Sequence, residues 1–442
     1  MAMSFIEQLD RGGIEHLWIA YTDYHGRLAG RAVPRRRFAT VAARGTNFAK
    51  ANFNYTIRDE QAPNPRFAAD GGDEFPVPDP ASLRLVPFHP ATALAFATLY
   101  EEDGTVWPGC PRSVLARAVA ALAEAGLAAT VAFEPEFYLF RDTHLDPATA
   151  AGMYTLAGLD AVMPFAQRLD TALAAMDVEV EQIGKEYGRG QFEVNIAPSD
   201  PVSAADALLL VKLAARAVAR ADALVASFMP KPDAALPGCG LHVHLSLRDA
   251  RTGEDRTVDP SHPSGLAEPA RRFLAGWLTH AAGLTALGAP TPNSFKRLQP
   301  ASWAPAHVYW GIGNRSALVR VPGGGERARL EFRAADNTAN PYLFLGGLLW
   351  AGLDGLDRAL EPPLPLDADA GRLTPAERAA RDLRELPRTA DAALDALEAD
   401  AALAAGLGPL IHGEFLRVKR AELASYHLQV HEWERSSYLE AP

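Results

Sequence analysis

One feature constrains this chain more than any other. Charged side chains stand two apart inside segments that otherwise read as buried strands. FEPEFYLF (133–140) sets Glu134 and Glu136 among Phe133, Phe137, Leu139 and Phe140. On a strand, positions i and i+2 share a face. Two adjacent buried carboxylates repel unless they are protonated or metal-bound. The device recurs: GCGLHVHLSL (238–247) carries His242 and His244, and RLEFR (329–333) carries Arg329, Glu331 and Arg333. GQFEVNI (190–196) holds Glu193 between Phe192 and Val194, with Glu186 seven residues earlier. A lone charged strand is ordinarily an edge strand with its acid in water, and a lone HxH pair is ordinarily structural. Four ligand-bearing strands in one chain point instead to a common site. Five Glu and at least one His form a mostly oxygen ligand set, which suits Mg²⁺ or Mn²⁺ better than zinc.

The cations extend the pattern. Arg297 follows PTPNSFK, and Arg315 and Arg320 sit in GNRSALVRVP (313–322). Arginine suits bidentate recognition of carboxylate and phosphate. Taken singly, each is ordinarily a surface ion pair. Interleaved with a metal-binding set, they point to a nucleotide phosphate and a carboxylate handled together. Arg315 and Arg320 fall on opposite faces of a regular strand, so spacing alone does not unite them. GGGE (323–326) is a weak phosphate-loop signal, and no Walker A sequence is present.

The chain has 442 residues, with 48% hydrophobic and 22% charged, which excludes a disordered chain and a disulfide-stapled miniature. Its net charge of −11 disfavours general nucleic-acid binding while permitting a local basic pocket. Cys110 and Cys239 form no CxxC or Cys/His cluster, so a reducing cytoplasm is expected. The opening MAMSFIEQLDRGG has no apolar run and is not expected to be a signal peptide. The charge-free stretches Phe273–Phe295 and Asn337–Leu353 are broken by proline or short, and neither reads as a membrane span.

Residues 1–105 read as strands and turns, with a turn at His25-Gly26 and a long loop over 46–82. A domain boundary is expected near 106. Beyond it, Pro111 opens a helix closed by Gly126, 131–141 reads as a strand, and Asp200-Pro201 starts a helix to about 224. Strands are expected at 189–197, 239–248, 307–321 and 328–334, and helices at 264–287 and 340–360. The stretch 361–386 reads as a surface excursion, and the tail after Gly413 as a polar helix. Antiparallel strands interspersed with helices make the expected class α+β.

FEPEFYLF, EYGRGQFEVNI, FMPKP, GCGLHVHLSL, PTPNSFKRL, NRSALVRVP and RLEFRAADNTANPYL, in this order, resemble the glutamine synthetase family. The resemblance spans most of the chain from 106 onward and, more weakly, the region before it. It implies a small N-terminal β-grasp domain (1–105) and a large catalytic domain (106–442) built on curved antiparallel strands. It also implies a homo-oligomer, a double-ring dodecamer with active sites between subunits. Glu136, Glu186 and Glu193 would hold one metal, and Glu134, His242 and Glu331 a second near the ATP phosphates. His244, Ser246, Arg320 and Arg329 match nucleotide positions, and Arg297 and Gly238 match glutamate positions. Arg315 and Arg333 match positions serving the transferring phosphate and the glutamate.

The departures carry the specificity. Ammonia-using members have a Glu six residues after the Arg of the KRL motif; here that position is Trp303. An FDGSS-like loop with an ammonium-binding Asp is replaced by NFAKANFNYT (47–56), with no acid until Asp59. An indole offers an apolar or cation–π wall to an alkylamine, although Trp is often simply core. Pro237-Gly238-Cys239 stands where Asn-Gly-Ser is common, so the glutamate amino end loses an Asn. No Tyr lies in 381–395 to accept an adenylyl group. The reading is an ATP-dependent ligase joining the glutamate γ-carboxylate to a small organic amine through γ-glutamyl phosphate. The alternatives are an ammonia-using glutamine synthetase, or a non-catalytic assembly protein with the same fold.

Overall fold

The computed structural model describes residues 4–68, 70–323 and 328–441. It contains two sheets flanked by helices. The first runs, in spatial order, Leu28–Pro34, His16–Thr22, Thr92–Tyr100, Asp73–Pro78 and Phe48–Ala49, with Arg84–Leu85 also paired to Thr92–Tyr100. His16–Thr22 and Thr92–Tyr100 lie parallel at its centre. Alternation along Thr92–Tyr100 divides its side chains between two cores. Ala93, Ala95 and Ala97 join Leu17, Ile19 and Val33 beneath the short helices Phe5–Arg11 and Phe38–Arg44. Leu94 and Phe96 turn the other way, into the main core with Tyr21, Tyr24 and Phe53.

Reading 1–105 as strands and turns misses those two helices, each only seven residues long. The expected loop at 46–82 also hides the strand Asp73–Pro78. Its Pro76 and Pro78 argue against a central strand. They are tolerated because the outer neighbour, Phe48–Ala49, pairs only with Glu74 and Asp73. The His25-Gly26 turn forms, with the Gly26 amide donating to the Asp23 carbonyl at 3.1 Å. Gly26 has φ +72°, and a Cβ there would meet Asn340 Cα at 2.8 Å. The backbone approach therefore requires glycine. Asn340 ties the first sheet to the helix Pro341–Asp357. Its carbonyl oxygen accepts from the amides of Tyr342 and Leu343, while its Nδ2 donates to Thr22 Oγ1 and the Asp23 carbonyl.

The second sheet runs Trp310–Ile312, Val319–Val321, Leu330–Phe332, Leu241–Asp249, Leu127–Phe140, Gln191–Ile196 and Val180–Lys185, with Val225–Ser227 also on Leu127–Phe140. The expected strand 307–321 is two short strands, and these are parallel to each other. The expected helix 264–287 is two, Glu268–Thr279 and Ala281–Gly288, broken at His280. Pro111–Glu124 and Pro201–Ala221 form as the prolines predict. Asp200 caps the second, accepting from the amides of Val202 and Ser203 at 3.1 Å. The excursion 361–386 contains only the short helix Pro375–Ala379 and one turn of 3₁₀ helix. The C-terminal helix starts at Pro409, ahead of Gly413, runs to His427, and is followed by Glu432–Tyr438. Among the described residues, no helix is long and apolar enough to cross a membrane.

Candidate active site

Register builds the site. Across adjacent strands Glu134 faces His242, and Glu136 faces Glu193. His244 faces Glu331, which faces Arg320 on its other side. Period-two alternation thus brings the polar positions of five strands onto one face. His244 Nε2 lies 3.1 Å from Glu134 Oε1, and His242 Nδ1 lies 3.5 Å from Glu134 Oε2 and 3.9 Å from Glu331 Oε1. His244 Nε2 is buried yet makes no aligned hydrogen bond. Two compact ligand groups emerge: Glu134, His244 and Glu331; and Glu134, Glu193 and His242. Glu136 stands beside them, accepting from Gly240 N at 2.9 Å and Gln191 Nε2 at 3.1 Å.

The electrostatics describe a site short of positive charge at one end. Burial, then repulsion from Glu134, Glu136 and Glu186, pushes Glu193 up to about 9. Burial and Glu136 push Glu186 up to about 7. At the other end, burial opposes ionisation of Glu331, but Arg333 and the two histidines hold it down to about 2. Burial also opposes ionisation of Glu134, and His242 and His244 outweigh it. Crowded buried carboxylate oxygens beside two imidazoles are the donor set of a hard divalent cation, so the residues fit such an ion.

The cations flank this set. Arg320 NH1 donates to Glu331 Oε2 at 2.7 Å, and Arg333 NH1 pairs with Glu331 Oε1. The Nε of Arg320 is buried without a hydrogen-bond partner among the described residues, a donor available to an anion. Arg329 Nε donates to His244 Nδ1 at 2.9 Å, which sets the ring's tautomer. Ser246 follows on the same strand face, half-buried. Arg333 Nε holds the Arg315 carbonyl at 3.0 Å, while the Arg315 side chain is exposed near Tyr154. Arg297 is buried and spends three donors on the carbonyls of Arg333, Ala334 and Ala335, leaving two of a guanidinium's five. Gly238 lies against it; a Cβ would meet Arg297 Cγ at 2.6 Å. Of the GGGE stretch, 324–326 lie outside the described residues.

Around Glu186 the surface turns aromatic. Tyr154 hydrogen-bonds its carboxylate, and the Tyr187 amide donates to it at 3.1 Å. The Tyr187 ring lies 6.2 Å from that of Trp303. Both stay open, Tyr187 51% and Trp303 57% exposed. Trp303 has φ +63° and Tyr154 φ +56°, left-handed backbone that is costly for bulky residues and collects at functional sites. In the 47–56 segment Phe53 and Asn54 are buried and Asn52 is exposed. Asp59, the first acid after it, is engaged by Arg27 at 2.9 Å. Reading the sequence for charge missed Tyr154 and Tyr187. It also missed Gln191 and Asn195, whose Nδ2 donates to Glu134 Oε1 at 2.7 Å. The period-two rule applied to GQFEVNI finds both amides, since Gln191, Glu193 and Asn195 share a face.

The glutamine synthetase catalytic domain model matches residues 108–438. A glutamate–methylamine ligase from Methyloversatilis universalis is 33% identical over 98% of both chains. A glutamine synthetase from Halobacterium salinarum is 32% identical over 98% of this chain and 96% of its own. A solved GmaS/ADP complex superposes at TM-score 0.90 and 32% identity over the full length of both chains, and ligand-free GmaS at 0.89. The fold and these relatives support an ATP-dependent ligase that forms a carbon–nitrogen bond between glutamate and an amine or ammonia. The chain belongs to the glutamine synthetase family.

Proposed function

We propose that the enzyme joins the glutamate γ-carboxylate to a small organic amine in preference to ammonium. The observation that carries this reading is the open Tyr187–Trp303 pair beside Glu186, with no carboxylate in 299–305. An alkylammonium gains dispersion and cation–π attraction from two rings, and that binding energy can position it. Ammonium has no carbon to bury and finds no carboxylate in this loop to concentrate it.

The proposed chemistry has two steps. A γ-carboxylate oxygen of glutamate attacks the terminal phosphorus of ATP, and ADP leaves. The amine nitrogen then attacks the γ-carbonyl carbon, and phosphate leaves. Glu134, Glu136, Glu186, Glu193, His242 and Glu331 would hold Mg²⁺ or Mn²⁺, which when bound neutralises phosphate charge. Arg315, Arg320 and Arg333 meet the negative charge that develops during transfer. His244, Ser246 and Arg329 orient the nucleotide, and Arg297 and Gly238 receive the glutamate. The amine is mostly protonated at neutral pH, and bulk water takes up the proton it loses before attack. The assembly we propose is a dodecamer in which 47–56 faces a neighbour's pocket, with the domain boundary near 106. The free, buried Cys110 and Cys239 support a reducing compartment, the cytoplasm.

ADP release, measured over a panel of amines with glutamate and ATP saturating, tests the reading. At least one organic amine is expected to exceed ammonium in kcat/KM by about tenfold, or about 1.4 kcal/mol. Equal or better use of ammonium overturns it. Chelation is expected to abolish turnover, and Mg²⁺ or Mn²⁺ to restore it.

A further inference from the structure

Away from the active site, a cavity of about 830 Å³ lies between the N-terminal sheet and the helix Pro201–Ala221. Its wall carries Lys212, Arg216 and Arg220. These are i, i+4 and i+8 of one helix, a single stripe with about 6 Å of rise between neighbours. None of the three forms an ion pair among the described residues. Among the described residues, the one carboxylate lining the cavity is Glu422, already engaged by Lys419 at 3.1 Å and His25 at 3.4 Å. Trp18, Leu213 and Phe228 also line the cavity, and Arg216 lies 5.2 Å from the Phe228 ring. In a chain of net charge −11, an unpaired cationic stripe against an apolar wall calls for an explanation.

Lys212 makes the case specific. It is 8% exposed and lines the cavity, with a single hydrogen-bond partner among the described residues, the Asn337 carbonyl, at 2.7 Å from Nζ. An ammonium has three donors, so two remain unmatched in a buried setting. Burial and the neighbouring Arg216 pull Lys212 down to about 7, and Asp336 offsets them only in part. Buried cations without a counter-ion are costly, and an anion in the cavity removes that cost.

We propose that this cavity binds an organic anion, a phosphate or carboxylate on an apolar skeleton, held by Lys212, Arg216 and Arg220. Its occupancy reaches the active site through two hydrogen-bonded links. Lys212 holds the Asn337 carbonyl, and Asn337 Nδ2 donates to the carbonyls of Glu136 at 2.9 Å and Gly240 at 3.1 Å. Gly240 in turn donates its amide to the Glu136 carboxylate. An anion that draws Lys212 toward the cavity shifts the backbone on which Glu136 stands. The binding site is independent of the ligase reading; only its effect on glutamate rests on that reading.

Titration calorimetry on the full-length assembled protein, saturated with Mg²⁺ and ADP so that the active-site cations are engaged, tests the site. The probes are phenyl phosphate and phenylacetate, which separate the two headgroups, with inorganic phosphate as the bare anion. At least one ring-bearing probe is expected to bind once per chain, at least tenfold tighter than inorganic phosphate and more weakly as salt rises. The Arg216→Ala/Arg220→Ala double variant is expected to lose tenfold or more of that affinity, and Arg216→Lys/Arg220→Lys to keep most of it. Both positions are exposed on the helix, so the fold survives the change. Absence of binding by both probes, or binding that survives the double alanine variant, overturns the site. The bound probe is expected to change the KM for glutamate at least twofold in the unsubstituted enzyme and not in the double alanine variant. Binding without that change retains the site and overturns the relay, and neither result depends on which amine the enzyme prefers.

Discussion

Glu331 and Glu136 are both carboxylates on the shared face, yet they stand in different company. Glu331 is 1% exposed and pairs with both Arg320 and Arg333. Removing it leaves two cations without a counter-charge, so Glu331→Ala is expected to cost about 3 kcal/mol of stability as well as turnover. Glu136 is held by a backbone amide and the Gln191 amide. Glu136→Ala is therefore expected to reduce turnover by about a hundredfold or more while shifting the melting temperature little. Thermal melts of the two variants, set beside their ADP-release rates, check the contrast; equal melting shifts would contradict it. Trp303 makes a complementary case. Its left-handed backbone stores strain that no buried packing offsets. Trp303→Gly is expected to raise stability by about 1 kcal/mol and to weaken use of the organic amine. Trp303→Glu is expected to improve use of ammonium at the amine's cost, read as the ratio of the two kcat/KM values. The charged residues of this site were legible because period two and apolar flanks mark them locally. Tyr154 and Tyr187 were not, since an exposed tyrosine has meaning only beside the Glu186 that the fold brings to it.

Elements were legible where caps and prolines announce them, as at Asp200-Pro201 and Pro111. They were illegible where tertiary context overrode the signal. Asp73–Pro78 forms a strand despite two prolines because its partner strand is too short to need their amides. The break at His280 is another such place. No proline marks it, and the apolar pattern runs through, yet two helices meet there. The His280 ring accounts for it: Nδ1 lies 2.7 Å from Asp400 and Nε2 2.9 Å from Asp354, which joins the junction to two other helical segments. Burial opposes protonation, but the two carboxylates outweigh it and hold the ring above its ordinary value of 6.5. A raised folded-state pKa means that the stabilisation is fully present below 6.5 and is lost as pH rises through the folded value. His280→Gln is thus expected to cost about 2 kcal/mol near pH 5.5 and less at pH 8.5. Melting temperatures of the two proteins across that range check the sign; a gap that widens with pH would reverse the assignment.

At the scale of the whole molecule, one core joins both sheets, since Tyr21 and Phe96 of the first, with Tyr24 and Phe53 beside it, belong with Val131, Phe133 and Phe137 of the second. What that core leaves uncovered is uneven. Leu428, Val430, Trp433, Tyr438 and Leu439 are all exposed within the last stretch of chain, on and beside the helix Glu432–Tyr438. Met153, Tyr154 and Leu156 are exposed together at the mouth of the candidate site. Single exposed apolar residues are ordinary, but clustered ones mark surfaces that meet another molecule. In a chain we propose to assemble as a dodecamer, the natural occupant is a second copy, because symmetric self-association buries such a patch in every subunit at once. The C-terminal stretch contributes nothing to the core of its own chain. Its residues are therefore free to be changed without unfolding the subunit. Replacing Trp433 and Leu439 together with Ser is expected to leave secondary structure intact while shifting the protein from a large assembly to smaller species in sedimentation velocity. If active sites are completed by neighbours, specific activity is expected to fall in step with dissociation and to recover in part as protein concentration rises. An unsubstituted protein that sediments as a monomer with full specific activity would refute the assembly. A doubly substituted protein that remains a large assembly would move its main contact elsewhere on the surface, with the 47–56 segment the next place to test.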